Sequence, residues 1–479
     1  MSISKKVANA SILIILRKVW GGLITFFVTA YLARALTKED FGLLAITTVL
    51  ITLIELFFIS GVGEYLIFYN KPDRKKVVNS SFWLTILLSL IICIIVVAIL
   101  PFWSNYYNDS RIVKIGYILL INFFFTMISA IPSGLLRKEL QYKPLIASQA
   151  LVGTLTNLSQ IVFAYTNFGV YSLALPKAIF APLLTILLLY KSNFTPTLNI
   201  ETKYWKEIFN YTKYVIGQRI FGKFVNEGDT LLIGKFYGMA SLGLYNIAFQ
   251  FSNLINGYFL PVVTSVSLPM LAKFSYDNSK LKVNYYRMIR IICYVFLPLI
   301  VLFAIFSKHL VLLLYGEKWT DSVIFIKILL IYVYFSSISS PSSSIFNAIG
   351  KPKISFLFVL IFSPIFLLSL IIASYYYKNL IVTVAVISVV RSLGSLVLIN
   401  LSLRVLGKNI LYLKQILFIV LLSLTTMIIN VFFDFNIASS IIFCIIYLTL
   451  LIIFYYSNKS EAQIVINEIK LMYFKKNEK

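Results

Sequence analysis

Seven basic side chains fall in stretches that are otherwise apolar: Arg17, Lys18, Lys177, Arg219, Lys223, Lys327 and Arg391. A charge at the centre of a bilayer costs about 2.5–3.5 kcal/mol on insertion scales, so such residues need a reason to be there. The usual reason is a water-filled cavity. Arg219, Lys223, Asn226 and Thr230 recur at i, i+4, i+7 and i+11, which puts them on one helical face headed by two cations. An arginine fork and a lysine point charge suit an anion, above all phosphate or pyrophosphate oxygens. Asn246, Gln250 and Asn253 make a second polar face on the following span. Four acids, Glu55, Glu64, Glu227 and Asp229, lie in the same apolar stretches and are candidates for energy coupling or ion pairing. Lys223 and Glu227 stand four apart, the spacing of an ion pair on one helix, and that structural reading stays open beside the cavity reading.

Other chemistry is poorly served. Cys93, Cys293 and Cys444 are isolated inside apolar runs, and His309 is the lone histidine, so neither a disulfide framework nor a metal site can be built. No cofactor motif is present. The 479 residues are 59% hydrophobic and 13% charged, with a mean hydropathy of +0.89. A soluble core stops growing at roughly 250–300 residues per domain and cannot hide that surplus. The expectation is an all-α polytopic membrane protein.

A helix needs about 20 apolar residues to cross the hydrocarbon layer. Prolines, glycines, asparagines and charge clusters divide the chain into about 14 such spans, near 7–33, 42–69, 79–101, 112–136, 145–166, 170–190, 208–234, 240–268, 287–306, 323–348, 354–374, 380–403, 412–433 and 437–456. With the N-terminus inside, inner connections collect 28 Lys and Arg and outer ones eight. That asymmetry predicts two cytoplasmic termini, and it accounts for the formal charge of +25 without nucleic acid. The longest outward connection, about Ser307 to Ser322, is too short for a catalytic domain, so an enzyme is not expected.

The chain also repeats itself. Ala33-Arg34 and Phe41-Gly42-Leu43 recur 201 residues later as Gly234-Lys235 and Leu242-Gly243-Leu244. At an offset of 210, Thr126, Ser129, Ser133 and Arg137 match Ser336, Ser339, Ser343 and Asn347. Each serine stripe reads either as a helix-packing face or as part of a wet cavity. Two pseudo-symmetric six-helix lobes are predicted, residues 1–200 and 201–407, with a site between them. Residues 408–479 add two helices and a tail.

Three ordered motifs carry a resemblance: Leu32-Ala33-Arg34-Ala35-Leu36-Thr37-Lys38-Glu39-Asp40-Phe41-Gly42-Leu43, Gly134-Leu135-Leu136-Arg137-Lys138-Glu139-Leu140-Gln141-Tyr142-Lys143, and Leu312-Leu313-Leu314-Tyr315-Gly316-Glu317-Lys318-Trp319. Together they resemble the Wzx-type polysaccharide repeat-unit flippases, of the multidrug/oligosaccharidyl-lipid/polysaccharide superfamily. The resemblance implies alternating access in the bacterial inner membrane and an undecaprenyl-pyrophosphate-linked oligosaccharide as cargo, for O-antigen, capsule or teichuronic-type export. It implies membrane lipid, the lipid-linked oligosaccharide, a polysaccharide polymerase and glycosyltransferases as partners. On that reading Arg17, Lys18, Lys177, Arg219, Lys223 and Arg391 hold pyrophosphate, and Asn246, Gln250 and Asn253 meet sugar. Two rival readings are a multidrug antiporter of the same superfamily and a membrane glycosyl polymerase or ligase. The first calls for an acid in span 1, where this chain has two bases.

Overall fold

The computed structural model describes residues 3–58, 62, 65, 66, 69, 73–198, 200–258, 271, 277–407, 410–433 and 436–457. Their regular structure is helical. In order come α1 Ile3–Ala35, α2 Lys38–Phe58, α3 Arg74–Tyr107, α4 Arg111–Lys138, α5 Tyr142–Tyr165, α6 Tyr171–Lys191, α7 Lys203–Ser252 and the short α8 Leu254–Tyr258. Then follow α9 Asn278–Ile291, a π-helical turn at Ile292–Phe296, α10 Leu297–Ile305, α11 Ser307–Leu314 and a tight turn at Glu317–Trp319. The last are α12 Ser322–Ala348, α13 Pro352–Tyr377, α14 Leu380–Leu406, α15 Ile410–Phe432 and α16 Ile437–Ser457. Among the described residues, nine helices are long and apolar enough to cross a bilayer. The chain is an all-α, multi-pass membrane protein.

Some ends differ from expectation, each for a local reason. Pro101 reads as a stop, yet α3 runs through it to Tyr107; in lipid, neighbouring helices and local adjustment tolerate an interior proline. The α9 helix starts at Asn278, ahead of the apolar stretch, because the Asp277 carboxylate caps it, accepting from the Ser279 and Lys280 amides at 3.1 Å each. The connection from Ser307 to Ser322 is no bare loop: it folds as α11 and the turn after it, with Trp319 fully buried.

Residues 1–246 and 247–479 form two compact units. In the first, the turn between α1 and α2 is fixed by a reciprocal cap. The Asp40 carboxylate accepts from the Thr37 amide and hydroxyl at 2.9 Å each, and the Thr37 hydroxyl accepts from the Asp40 amide at 3.3 Å. The α7 helix breaks at Gly238, whose φ of 79° favours glycine. Gly238 lies 201 residues after Thr37, so the repeat places its two breaks in register.

The segment after α6 is stitched to the start of α3. Asn79 and Trp83 donate to the Thr197 carbonyl at 2.9 and 2.7 Å, and the Thr197 amide donates back to Asn79 at 2.8 Å. Ser80 donates to the Glu201 carbonyl at 2.7 Å and accepts from its amide at 3.1 Å. The Glu201 carboxylate pairs with Lys203 at 2.6 Å and Lys76 at 2.9 Å, and these bonds hold it below the usual carboxylate range.

In the second unit, Ser388 of α14 donates to the Ile328 carbonyl of α12 at 2.6 Å. Tyrosines attach the last two helices. Tyr334 donates to the Val420 carbonyl of α15 at 2.7 Å, and Tyr455 of α16 donates to the Tyr294 carbonyl at 2.7 Å while stacking on the Tyr294 ring.

Candidate functional site

The basic residues singled out by the sequence divide into open and enclosed groups. Arg17 and Lys18 are exposed on α1, and Lys177 is half-buried on α6. No described residue forms a hydrogen bond or ion pair with any of the three. Arg17 instead feels the like charge of Arg137, at the end of α4. Sequence reasoning placed Arg137 at the end of the polar stripe and in the second motif, but not among the candidate cargo contacts. The side chain of Arg219 lies outside the described residues, as does Glu64.

Lys223 takes the structural option left open by its spacing: its Nζ lies 2.7 Å from Glu227, with both side chains partly exposed. Asp229, two residues after Glu227, is 1% exposed and accepts from the Tyr245 hydroxyl at 2.5 Å, tying the two parts of α7 across the Gly238 break. Glu55 is half-buried on α2. Asn246 is half-buried and Gln250 exposed, while the Asn253 amide donates to the Phe249 carbonyl of its own helix at 2.9 Å.

Two cations of the second unit are enclosed. Arg391 is 4% exposed, its guanidinium boxed by Phe366, Tyr332 and Phe249 at 4.9, 5.2 and 5.5 Å from the ring centres. Cation–π contacts of this kind stabilise a guanidinium away from water. Lys327 is 5% exposed and donates to the Phe433 carbonyl at 3.1 Å.

The serine stripes are partly enclosed: Ser129, Ser133 and Ser339 are buried, while Thr126 is exposed. Ser129 returns its hydroxyl to the Thr126 carbonyl at 2.7 Å, and its repeat-mate Ser339 does the same to Ser336 at 3.0 Å. Both serines are buried, and Asn256 bridges Ser336 and Ser337 at 2.8 and 2.7 Å.

What the sequence did not flag is a close crossing at the start of α2. A Cβ on Gly42 would overlap the Met239 carbonyl, and one on Gly243 would overlap the Lys38 carbonyl. The same end is tied down by Tyr107, which donates to the Leu231 carbonyl at 3.1 Å, and by Lys235, which donates to the Tyr106 carbonyl at 2.8 Å. The only sequence signal was the recurring glycine of Phe41-Gly42-Leu43.

A family model described as polysaccharide biosynthesis protein matches residues 31–324, more than half of the chain. Teichuronic acid biosynthesis protein TuaB of Bacillus subtilis (strain 168) is 24% identical over 307 residues, 62% of this chain; the match spans 62% of that relative's own length. Lipopolysaccharide biosynthesis protein WzxC of Escherichia coli (strain K12) is 23% identical over 336 residues, 68% of this chain and 67% of that protein. A solved structure of the lipid II flippase MurJ in an inward closed conformation shares the fold at a TM-score of 0.73 and 17% identity, covering 94% of this chain and 99% of that one. An inward-facing multidrug resistance MATE family transporter follows at a TM-score of 0.55 and 15% identity, covering 85% and 95%. The chain therefore belongs to the polysaccharide biosynthesis protein family.

Proposed function

We propose that this protein moves undecaprenyl-pyrophosphate-linked oligosaccharide repeat units from the inner to the outer leaflet of a bacterial cytoplasmic membrane. It does so by alternating access, as a transporter and not an enzyme, through fourteen crossings with both termini in the cytoplasm. The proposed division is two six-helix lobes, 1–200 and 201–407, with residues 408–479 as an accessory pair of helices and a tail. Desolvating hydroxyls and phosphate charge blocks the spontaneous crossing of such a headgroup, and a hydrated cationic cavity removes that barrier. The polyprenyl tail can stay in lipid throughout.

One observation supports the anionic cargo above the others: Arg17, Lys18 and Lys177, which interrupt apolar stretches of the sequence, have no ion partner among the described residues. With Arg219 and Lys223 they are the proposed pyrophosphate contacts. Arg391 belongs to the same proposal, but its three-ring box makes its loss act through packing first. Asn246, Gln250 and Asn253 are the proposed sugar contacts, and Glu55, Glu64, Glu227 and Asp229 are the proposed coupling or ion-pairing acids, of which Glu227 pairs with Lys223 and Asp229 accepts from Tyr245. The Gly42–Gly243 crossing lies at the end that the charge asymmetry assigns to the outside, and we read it as the outer closure.

The test is surface polysaccharide output in cells producing normal amounts of protein. Arg17→Ala with Lys18→Ala should abolish most of it, as should Lys177→Ala. Unchanged output in both would remove the cationic-cavity reading. Loss of resistance to cationic drugs with intact polysaccharide would instead favour the multidrug antiporter.

A further inference from the structure

A cationic cavity lies in the 247–479 unit, and none of the residues assigned to cargo lines it. A cavity of about 330 Å³ opens between the start of α12, the α11 region and the end of α15, lined among others by Lys308, Thr320, Asp321, Lys327, Val431 and Phe432. Its wall brings two lysines against one carboxylate. Lys327 is held there at 5% exposure, with its Nζ on the Phe433 carbonyl, so the charge is fixed in place and cannot swing into bulk water. Lys308 is half-buried and lies on α11, in the segment that buried Trp319 anchors. The first turn of α12 adds the partial positive charge of a helix start.

We propose that this chamber binds a phosphate oxyanion, with Lys327 as the fixed cation and Lys308 as the adjustable one. A volume near the lower limit of ligand sites suits a headgroup and excludes an oligosaccharide. The surroundings favour the phosphodiester of an anionic phospholipid as its source. Phe432, in the wall, is 80% exposed, and Phe433 beside it is 60% exposed, giving acyl chains an apolar surface next to the cavity. Basic pockets between membrane helices hold lipid headgroups in this way. Such a lipid would bridge α12 and α15, fastening the accessory helices to the unit. The inference does not depend on the cargo proposal, because none of its residues is a proposed cargo contact.

The experiment uses the full chain in nanodiscs. One arm measures retention of phosphatidylglycerol against phosphatidylcholine by native mass spectrometry; the other titrates inorganic phosphate into phosphatidylcholine discs by 31P NMR. Lys308→Gln should weaken the anion about tenfold, the scale of one charged hydrogen bond. Asp321→Asn should tighten it, a gain that misfolding could not mimic. Charge-dependent preference for phosphatidylglycerol supports the lipid source. Saturable, charge-dependent phosphate binding without that preference supports the site with a soluble ligand. No binding in either arm, or binding unchanged by both variants, overturns it.

Discussion

Gly42 and Gly243 make one contact in two directions. Gly42 meets the Met239 carbonyl and Gly243 meets the Lys38 carbonyl, and the 201-residue repeat offset relates Gly42 to Gly243 and Lys38 to Met239. A contact that maps onto itself when its partners are exchanged is the signature of a two-fold axis passing between them. The repeat is thus a packing device as well as a sequence pattern. It brings the starts of two equivalent helical segments so close that only hydrogen fits at Cα.

Gly42→Ala should therefore push the two segments apart, because the obstacle is backbone and no rotamer can relieve it. Overpacking of this kind costs about 1–3 kcal/mol. Gly243→Ala should cost the same by symmetry. The double variant should cost less than the two together, since the first displacement opens room for the second. Thermal unfolding of purified protein checks the energies, and thiol labelling of a cysteine at Thr48 checks the opening. Additive losses would show that the two contacts are independent.

Lys223 and Glu227 should separate binding from stability. Their pair is partly exposed and on one helix, worth about 0.3–0.5 kcal/mol. Glu227→Gln should leave stability nearly unchanged while freeing Lys223, so pyrophosphate binding by the purified protein should tighten. Lys223→Ala should loosen it about tenfold. If the two variants move binding in the same direction, Lys223 is not a cargo contact.

Arg391 predicts the opposite balance. Arg391→Lys keeps the charge and loses the guanidinium's contacts with Phe366, Tyr332 and Phe249, where each desolvated contact is worth about 2 kcal/mol or less. Melting temperature should fall with Arg391→Lys and with Phe366→Ala alike. Anion binding measured well below the melting point should change little in Phe366→Ala.

The strap after α6 should loosen in acid. Hydrogen bonds from Lys203 and Lys76 depress the Glu201 pKa, so its contribution is present above the unfolded value of about 4.3 and is lost as pH falls through the folded one. Exchange of the Thr197 and Glu201 amides, corrected for intrinsic rates, should be slow at neutral pH and accelerate several-fold below it. Glu201→Gln should be fast throughout and lose the pH dependence. A wild-type rate that stays flat into acid would show that the side-chain pairs with Asn79 and Ser80 hold the strap unaided.

Hydropathy runs, the excess of basic residues in alternate connections and the 201-residue offset sufficed to predict a multi-pass helical bundle with an internal repeat. The span bounds left gaps at 34–41 and 235–239, and the helix breaks at Gly238 inside the second of them. Those signals are local or periodic, and a membrane leaves the backbone few alternatives to the helix. Lys223 with Glu227 was legible for the same reason, being one helical turn apart. What sequence could not decide is which in-span cations stay open. Arg17 and Lys18 do and Lys177 stays half-buried, while Arg391 is boxed by rings and Lys327 is drawn to a carbonyl. Phe249 lies 142 residues before Arg391 and Phe433 lies 106 after Lys327, so only the folded chain makes them neighbours. The environment of a buried charge is set by such distant partners, and no spacing along the chain encodes them.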